Sequence, residues 1–342
     1  MIVYIDESGN FSGVGQSNSP SIVGALVVPD HKHEFLLRQY RKLRRSLPKD
    51  DDQIKGRLLD EAQVRQVTFL LRQAEAVFFT AFIEMGLHTA ASLEQHRAGT
   101  AKGIVSNLTD AHNPAVRTAV YQLKSRLEQL PLQLYVQGLV LNQLLARVLA
   151  EATAYFAQRH PAELGRFEWV LDAKGDSNRL TEWEDWWRST FMPFLQSQSL
   201  QQPAWKLEGA DYSHFNRFEM NVPRHLSSHI PRTSISTKVI DLKQVFTENL
   251  RISNHSEPGL ELVDVVTNGL RRAFKATLRQ EGWLSLRSIM IHRRHQYIDV
   301  LDFGGHQKSS LYPTDYRMVF NAFRTGGRTM LVPDTLRPAK AT

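Results

Sequence analysis

Three acidic residues stand at positions from which a folded chain could bring them together. Asp6 follows the apolar run 2–5, and Asp172 follows the apolar run 167–171. Because the reacting groups of α/β sheets collect beyond the carboxyl ends of the strands, we expect these two carboxylates side by side if their strands are neighbours. Their mutual repulsion would be costly unless a proton or a divalent cation lay between them.

The third acid comes from a late helical segment. Glu261, Asp264 and Asn268 are spaced at i, i+3 and i+7, so they share one face of the predicted helix. A buried Asp264 among valines would need a compensating partner, whereas an exposed polar face on an amphipathic helix would need none. Taken with Asp6 and Asp172, the pattern favours a metal site.

The residue types favour Mg²⁺ or Mn²⁺ as the cation. The chain contains no cysteine, which excludes disulfides, thiolate nucleophiles and cysteine-based zinc or iron–sulfur sites. Carboxylates from separated elements, without a paired histidine motif, suit these hard cations better than zinc. Two such ions can activate a water and stabilise the leaving oxygen in phosphodiester hydrolysis.

The elements that must position these acids alternate between strand and helix. Strands are predicted at 2–5, 21–28, 76–85 and 167–171, with helices at 33–47 and 60–73. Residues 88–160 predict helix throughout, with Pro114 and Pro131 before helical starts. We therefore expect an α/β fold with a mixed sheet flanked by helices.

The second half of the chain predicts fewer strands. An aromatic helix is expected at 180–195, short strands at 205–208 and 238–242, and a helix after Pro258. The tail from residue 282 is expected to form strands or a hairpin before an unstructured end at 337–342.

Charge is distributed unevenly along the chain. The formal net charge is +7, and residues 1–200 contribute none of it, because 22 basic side chains balance 22 acidic ones there. A basic end of this kind favours a polyanionic partner, although a basic surface kept soluble by its charge is the alternative.

No segment predicts a membrane span or a leader. The N-terminus becomes acidic at Asp6, and the apolar segment 132–156 is interrupted by polar and charged residues. We expect a soluble, cytoplasmic protein.

Three motifs resemble the signatures of a bacterial family. They are Tyr4-Ile5-Asp6-Glu7-Ser8-Gly9-Asn10-Phe11, Ile54-Lys55-Gly56 and Glu261-Leu262-Val263-Asp264-Val265-Val266. In these motifs the chain is similar to the domain-of-unknown-function 3800 family, which is regarded as having a ribonuclease H-like fold. That family is usually taken to comprise metal-dependent nucleases, and it occurs among mobile-element and phage-defence genes. At the late helix it often has Gln and Ala where this chain has Glu261 and Val263.

The resemblance implies a ribonuclease H-like domain, which we place at 1–280 with a helical insertion at 88–160 and a basic C-terminal extension at 281–342. It implies that Asp6, Asp172 and Asp264 bind the metal, and Glu7 is the next candidate. Glu261 could add a carboxylate ligand or merely alter packing. Lys55 could meet a phosphate or balance the acids, or it could be a surface lysine, and His255 could relay a proton.

Basic residues near the C-terminal end are expected to hold the nucleic-acid backbone. They are Arg271, Arg272, Lys275, Arg279, Arg293 and Arg294. The leading function is a metal-dependent nuclease acting on RNA or DNA. The alternative is a catalytically inactive ribonuclease H-like nucleic-acid-binding or sensor subunit, and a nucleotide-hydrolysing relative ranks below both. The Trp-rich helix at 183–191 or the helical insertion is expected to contact a protein partner or a second copy.

Overall fold

The chain forms an α/β fold around a mixed six-stranded sheet. The computed structural model describes residues 1–106, 108–110, 112–172, 186, 195, 206–221, 238–253, 257–293, 297–304 and 312–332. The strands are β1 (Ile2–Ser8), β2 (Pro20–Val28), β3 (Val77–Glu84), β4 (Glu168–Asp172), β5 (Glu219–Asn221), β6 (Lys238–Ile240), β7 (Leu250–Ser253) and β8 (Asp299–Val300). The helices are α1 (Asp30–Leu43), α2 (Glu61–Gln73), α3 (Ala90–Val105), α4 (Pro114–Gln129), α5 (Leu132–Ala157), α6 (Leu242–Thr247), α7 (Pro258–Phe274), α8 (Gln280–Trp283) and α9 (Thr314–Ala322).

The strand order of the main sheet is β7-β4-β1-β2-β3-β8. β1, β2 and β3 form an antiparallel meander, β4 and β7 continue it in parallel beside β1, and β8 runs parallel to β3. β5 and β6 pair separately. β1 and β4 are parallel neighbours, which meets the condition set for Asp6 and Asp172 to lie side by side, and their carboxyl ends meet at one end of the sheet.

The two faces of the sheet are covered by different helices. Side chains alternate along a strand, so Ile2 and Tyr4 of β1 pack into the core formed with α1, α2 and α7. Val3 and Ile5 point to the opposite core, which is formed with α5. The segment predicted as a helical insertion therefore supplies, through α5, one of the two layers that cover the sheet.

Sequence patterning located most of these elements. Asp60 caps α2 through a capping box, and Pro114 begins α4. The helix predicted at 180–195 lies outside the described residues except for Trp186 and Leu195, which are both helical and buried.

Some sequence predictions are wrong. Residues 206–208 form no strand, and residue 205 lies outside the described chain. In its described residues the tail forms α8, a 3₁₀ turn at 284–289 and α9, and the two-residue β8 is the only strand among them. Large apolar side chains there favour burial over a solvent-facing hairpin, because Trp283, Tyr297 and Tyr316 are almost fully buried in the α7 core. The described residues between 281 and 332, which lie in the predicted C-terminal extension, thus contribute to the core, and the end at 337–342 lies outside the described residues.

None of the described helices combines the length and the apolar character needed to cross a membrane.

Candidate functional site

The carboxyl ends of β1 and β4 place two of the three predicted acids side by side. Ile5 pairs with Leu171, so Asp6 and Asp172 are the next residues along two adjacent parallel strands. Neighbouring strands lie about 4.8 Å apart, and residues at matching positions point to the same face. By this alternation Asp6 and Asp172 lie on the face that α7 covers. Asp6 is buried, and one of its carboxylate oxygens accepts the backbone N–H of Glu7 at 2.8 Å.

Helix α7 brings the third acid to the same end of the sheet. It runs along β1, with Gly259 against the ring of Tyr4 and the Asn268 amide donating to the Ser8 hydroxyl at 3.2 Å. Asp264 lies one helical turn before Asn268 and therefore near the level of Asp6. Its Oδ2 accepts the Gly56 N–H at 2.7 Å. The Ile54-Lys55-Gly56 motif thus contacts the motif of the late helix through the Gly56 N–H and Asp264.

The surroundings of Asp264 raise its pKa above the usual value. Burial raises the pKa of Asp264, and the negative charge of Asp172 raises it further. The Gly56 N–H, Lys55 and Arg57 act in the opposite direction without cancelling the rise. Two of the predicted metal-binding acids therefore interact in the absence of any cation.

Asn268 presents an oxygen to the same region. Its Nδ2 donates a hydrogen bond to the Ser8 hydroxyl. Its buried Oδ1 has no hydrogen-bond partner among the residues that the structure describes. A buried amide oxygen without a donor is unfavourable by about 1–3 kcal/mol. The sequence indicates Asn268 only as a member of the polar helix face. In the structure its Oδ1 is placed where it could serve as a metal ligand.

Glu261 has a different role from the one allowed for it as a metal ligand. Its two oxygens accept hydrogen bonds from Tyr40 at 2.9 Å, from the Arg44 guanidinium at 2.8 Å twice, and from the Ile54 N–H at 3.0 Å. The side chain is only 5 % exposed. Because both oxygens are engaged, we leave Glu261 out of the proposed metal set.

Glu7 and Lys55 lie on different sides of the acids. Glu7 follows Asp6 in the strand, so it points to the opposite face, where it lines a small cavity with Gln137 and Leu141. Asp172 is the last residue of β4, so it borders this cavity as well as the side of the sheet on which its charge acts on Asp264. Lys55 is partly buried beside the acids, and its charge acts on Asp264.

Most of the predicted phosphate-binding residues are engaged within the fold. Arg271 donates to the Pro20 carbonyl at 3.1 Å, and Arg272 donates to the Gly56 carbonyl at 3.1 Å. Arg279 pairs with Glu61, and Arg293 bridges Glu151 and Asp299. Lys275 is partly buried at the end of α7. The predicted residues Arg294 and His255 lie outside the described residues.

The three aspartates are not spaced as ligands of one compact ion. Among the described residues, the only set of three His, Asp or Glu side chains whose donor atoms all lie within 4.8 Å of one another is His31, Glu75 and His160. The donor atoms of Asp6, Asp172 and Asp264 therefore do not all lie within that distance of one another. Sequence reasoning missed the histidine set, because its members come from three distant segments and form no motif.

Comparison with family models, with curated proteins and with solved structures found no match to this chain. The resemblance to the domain-of-unknown-function 3800 family therefore stays a prediction that rests on its three motifs.

Proposed function

We propose that this protein is a divalent-metal-dependent nuclease that hydrolyses phosphodiester bonds of RNA or DNA, with the site at Asp6, Asp172 and Asp264. The observation that carries the proposal is geometric: Asp6 and Asp172 are adjacent on two parallel strands, and α7 places Asp264 at the same end of the sheet. The Asp264 carboxylate is partly buried, and the charge of Asp172 adds to the rise of its pKa. A divalent cation between these groups would remove that repulsion.

The donor atoms present agree with Mg²⁺ or Mn²⁺. The candidate ligands are carboxylate oxygens and the Asn268 Oδ1, which is buried and has no hydrogen-bond partner in the described part of the chain. Oxygen donors of this kind are preferred by hard cations. A bound cation would supply the chemistry of a Lewis acid by activating a water and offsetting charge on the phosphate oxygens.

The chain's own groups would position the substrate. Lys55 lies beside the acids with a positive charge, so it can contact a phosphate oxygen. The Gly56 N–H fixes one oxygen of Asp264, which leaves its other oxygen for the cation. We further propose that Lys275 and Arg271, farther along α7, contact the nucleic-acid backbone. Arg271 keeps a place in this surface because only its Nε donates to a protein group, the Pro20 carbonyl. We leave out Arg272, Arg279 and Arg293, each of which makes two or more contacts to protein groups.

The fold and biological setting belong to the same proposal. An antiparallel meander continued by parallel strands, with acids at the carboxyl ends of β1 and β4, is compatible with the ribonuclease H-like fold that the motifs imply. A role in phage defence or mobile-element biology, in the cytoplasm, follows from that resemblance alone.

The test is cleavage of labelled RNA and DNA by the purified protein with Mn²⁺ or Mg²⁺. We expect metal-dependent cleavage that Asp6→Asn lowers at least about 100-fold, since several kcal/mol of transition-state stabilisation depend on the cation. Asp110→Asn is the matched control, because Asp110 is 97 % exposed and precedes α4. Cleavage that survives Asp6→Asn would contradict the proposal. Cation binding without cleavage by the wild type would favour the inactive subunit instead.

A further inference from the structure

A second group of metal-ligating side chains lies at the opposite edge of the sheet from the aspartates. His31 follows the end of β2 and begins α1, Glu75 precedes β3, and His160 follows α5. Because Val28 pairs with Ile2 and Val27 pairs with Val77, these segments gather where β1 begins. Asp6 lies about 13 Å away from Ile2 along β1, at about 3.3 Å per residue. The two groups are therefore separate sites.

The three side chains already stand near the spacing of metal ligands. Glu75 Oε2 lies 3.0 Å from His160 Nε2 and 3.7 Å from His31 Nε2. The two imidazole rings are 4.4 Å apart between centroids. Ligands about 2.0–2.1 Å from a tetrahedral ion lie about 3.3 Å from one another, so small side-chain rotations would place all three donors on one ion.

Glu163 contacts one ring nitrogen of His31 and so orients the ring, as a carboxylate behind a zinc-binding histidine does. Its Oε1 lies 2.8 Å from His31 Nδ1, and the Nε2 of the same ring faces Glu75. Glu163 also accepts the backbone N–H groups of Asp30 and His31 and pairs with the Met1 ammonium, so its carboxylate is fixed beside His31 Nδ1, where it can accept a hydrogen bond from a proton-bearing Nδ1. The His31 Nε2 lone pair is then directed at the place where an ion would bind.

Glu75 is also held in place by its backbone and by its neighbours. Its φ is 56°, in the left-handed region, and its carbonyl accepts a hydrogen bond from Arg328 at 2.9 Å. Lys32 pairs with Oε1 at 3.1 Å, which leaves Oε2 on the side of the two histidines. Each of the three side chains is 38–39 % exposed, so an ion can enter from solvent and water can complete its coordination.

We propose that His31, Glu75 and His160 bind a transition-metal ion of the Zn²⁺ class, through the two Nε2 atoms and one Glu75 oxygen. Two imidazoles and a carboxylate form a zinc-type ligand set, whereas Mg²⁺ prefers oxygen ligands alone. The ion would fasten together the start of α1, the turn before β3 and the segment after α5. It is independent of the cation proposed for the aspartates.

The test uses tag-free, chelator-treated full-length protein, because a polyhistidine tag binds the same ions. Co²⁺ is the spectroscopic probe, and Zn²⁺ is the competitor. We expect one equivalent of Co²⁺ to give a visible absorption band that Zn²⁺ removes, together with a rise of Tm in Zn²⁺. His160→Ala and Glu75→Gln should each lower the Co²⁺ affinity by more than the roughly 10–100-fold that is lost when a residue hydrogen-bonded to a metal ligand is replaced. Glu75→Gln keeps the shape of the side chain and guards against a folding defect.

Two further variants make the result specific. His112→Ala, in the segment before α4, should leave Co²⁺ binding unchanged, and Asp6→Asn should leave it unchanged as well. The proposal is overturned if the wild type gives no band, if Glu75→Gln and His160→Ala bind as the wild type does, or if Asp6→Asn removes the band.

Discussion

Opposing influences act on the pKa of Asp264, which lies on α7 beside β1. Burial and the neighbouring Asp172 disfavour the ionised form, while the Gly56 N–H and Lys55 favour it without prevailing. A side chain kept in this way is typical of a functional site, because structural carboxylates are normally fully paired. The cation proposed here would supply the missing compensation.

Replacing Asp264 by Asn should stabilise the metal-free protein at neutral and basic pH. The pKa of Asp264 in the folded protein is raised above its usual value, so ionisation of Asp264 disfavours the fold. This penalty grows as pH rises from the usual pKa through the raised one. We expect Asp264→Asn to gain about 1 kcal/mol at pH 8 in chelator, the usual size for relief of a strained site, and little at pH 4. Urea unfolding at both pH values measures it. A loss of stability at pH 8 would show that Asp264 is fully compensated.

Glu261 should act on stability and leave cation binding unchanged. Its two oxygens are engaged by Tyr40, Arg44 and the Ile54 N–H, so Glu261→Gln should cost about 3 kcal/mol, near the lower limit for breaking a buried pair. The control is Asp52→Asn, because Asp52 is the exposed partner of the same arginine and solvent screens its charge, so this substitution should change stability little. Chemical unfolding gives the stabilities, and Mg²⁺ titration gives the affinity. A Glu261→Gln protein of normal stability with weakened Mg²⁺ binding would return Glu261 to the metal set.

For single residues, the sequence could predict the candidate acids better than the side chains that contact them. Asp6 and Asp172 follow apolar runs, and a strand that ends on an acid is visible without any tertiary information. The partners of Glu261 are not visible, because Arg44 is 217 residues away in the chain. Spacing alone could not show that its carboxylate is already occupied.

At the scale of elements, close packing of α7 on β1 and on the Lys55 turn positions the acids. A Cβ at Gly56 would lie 2.8 Å from the Asp264 carbonyl oxygen and from the Val265 Cα. A Cβ at Gly259 would lie 2.1 Å from the ring of Tyr4. These contacts lie far inside ordinary van der Waals distance, so the approach of the helix depends on both glycines.

Gly56→Ala should therefore disturb both the fold and the acid site. The Cβ meets helix backbone, which cannot rotate away, and the Gly56 N–H would move from Asp264; overpacking of this kind costs about 1–3 kcal/mol. We expect that loss in thermal unfolding, together with weaker Mg²⁺ binding. Gly99→Ala is the control, because nothing lies within 4 Å of its Cβ in α3, and there alanine should stabilise by about 0.5–1 kcal/mol. Equal effects of the two substitutions would contradict the packing account.

Elements were predictable where periodicity or caps are strong. The long apolar strands and the capping box of α2 are examples. β7 has four residues and β8 has two, which is too short for a period to be recognised, and both exist only because β4 and β3 offer them an edge. Tertiary pairing decides such strands.

At the scale of the molecule, the C-terminal segment is part of the core. Trp283 and Tyr316 are each 1 % exposed, and Tyr297 is fully buried. Arg293 joins Glu151 of α5 to Asp299 of β8, so part of the basic surplus counted in the sequence is used inside the fold. Composition could show the surplus of charge, but it could not show which cations face solvent.

A chain that ends at residue 280 should fail to fold. Each large aromatic side chain removed from a core costs about 3–5 kcal/mol, and loss of three would approach or exceed the 5–15 kcal/mol by which domains are stable. We expect poor solubility and loss of cooperative unfolding by circular dichroism. A chain that ends at residue 332 keeps every described contact and should unfold cooperatively. Independent folding of 1–280 would restore the division into a domain and an extension.

The most direct test of the proposed aspartate metal site is calorimetric titration of the full chain with Mg²⁺. Mg²⁺ prefers oxygen ligands, so the histidine group should not contribute to the signal. We predict saturable binding by the wild type and at least about tenfold weaker binding by Asp172→Asn, because removing a ligand should cost no less than second-shell changes do. Asp110→Asn should bind as the wild type does. Equal Mg²⁺ affinity of Asp172→Asn and the wild type would contradict the assignment of the metal site to Asp6, Asp172 and Asp264.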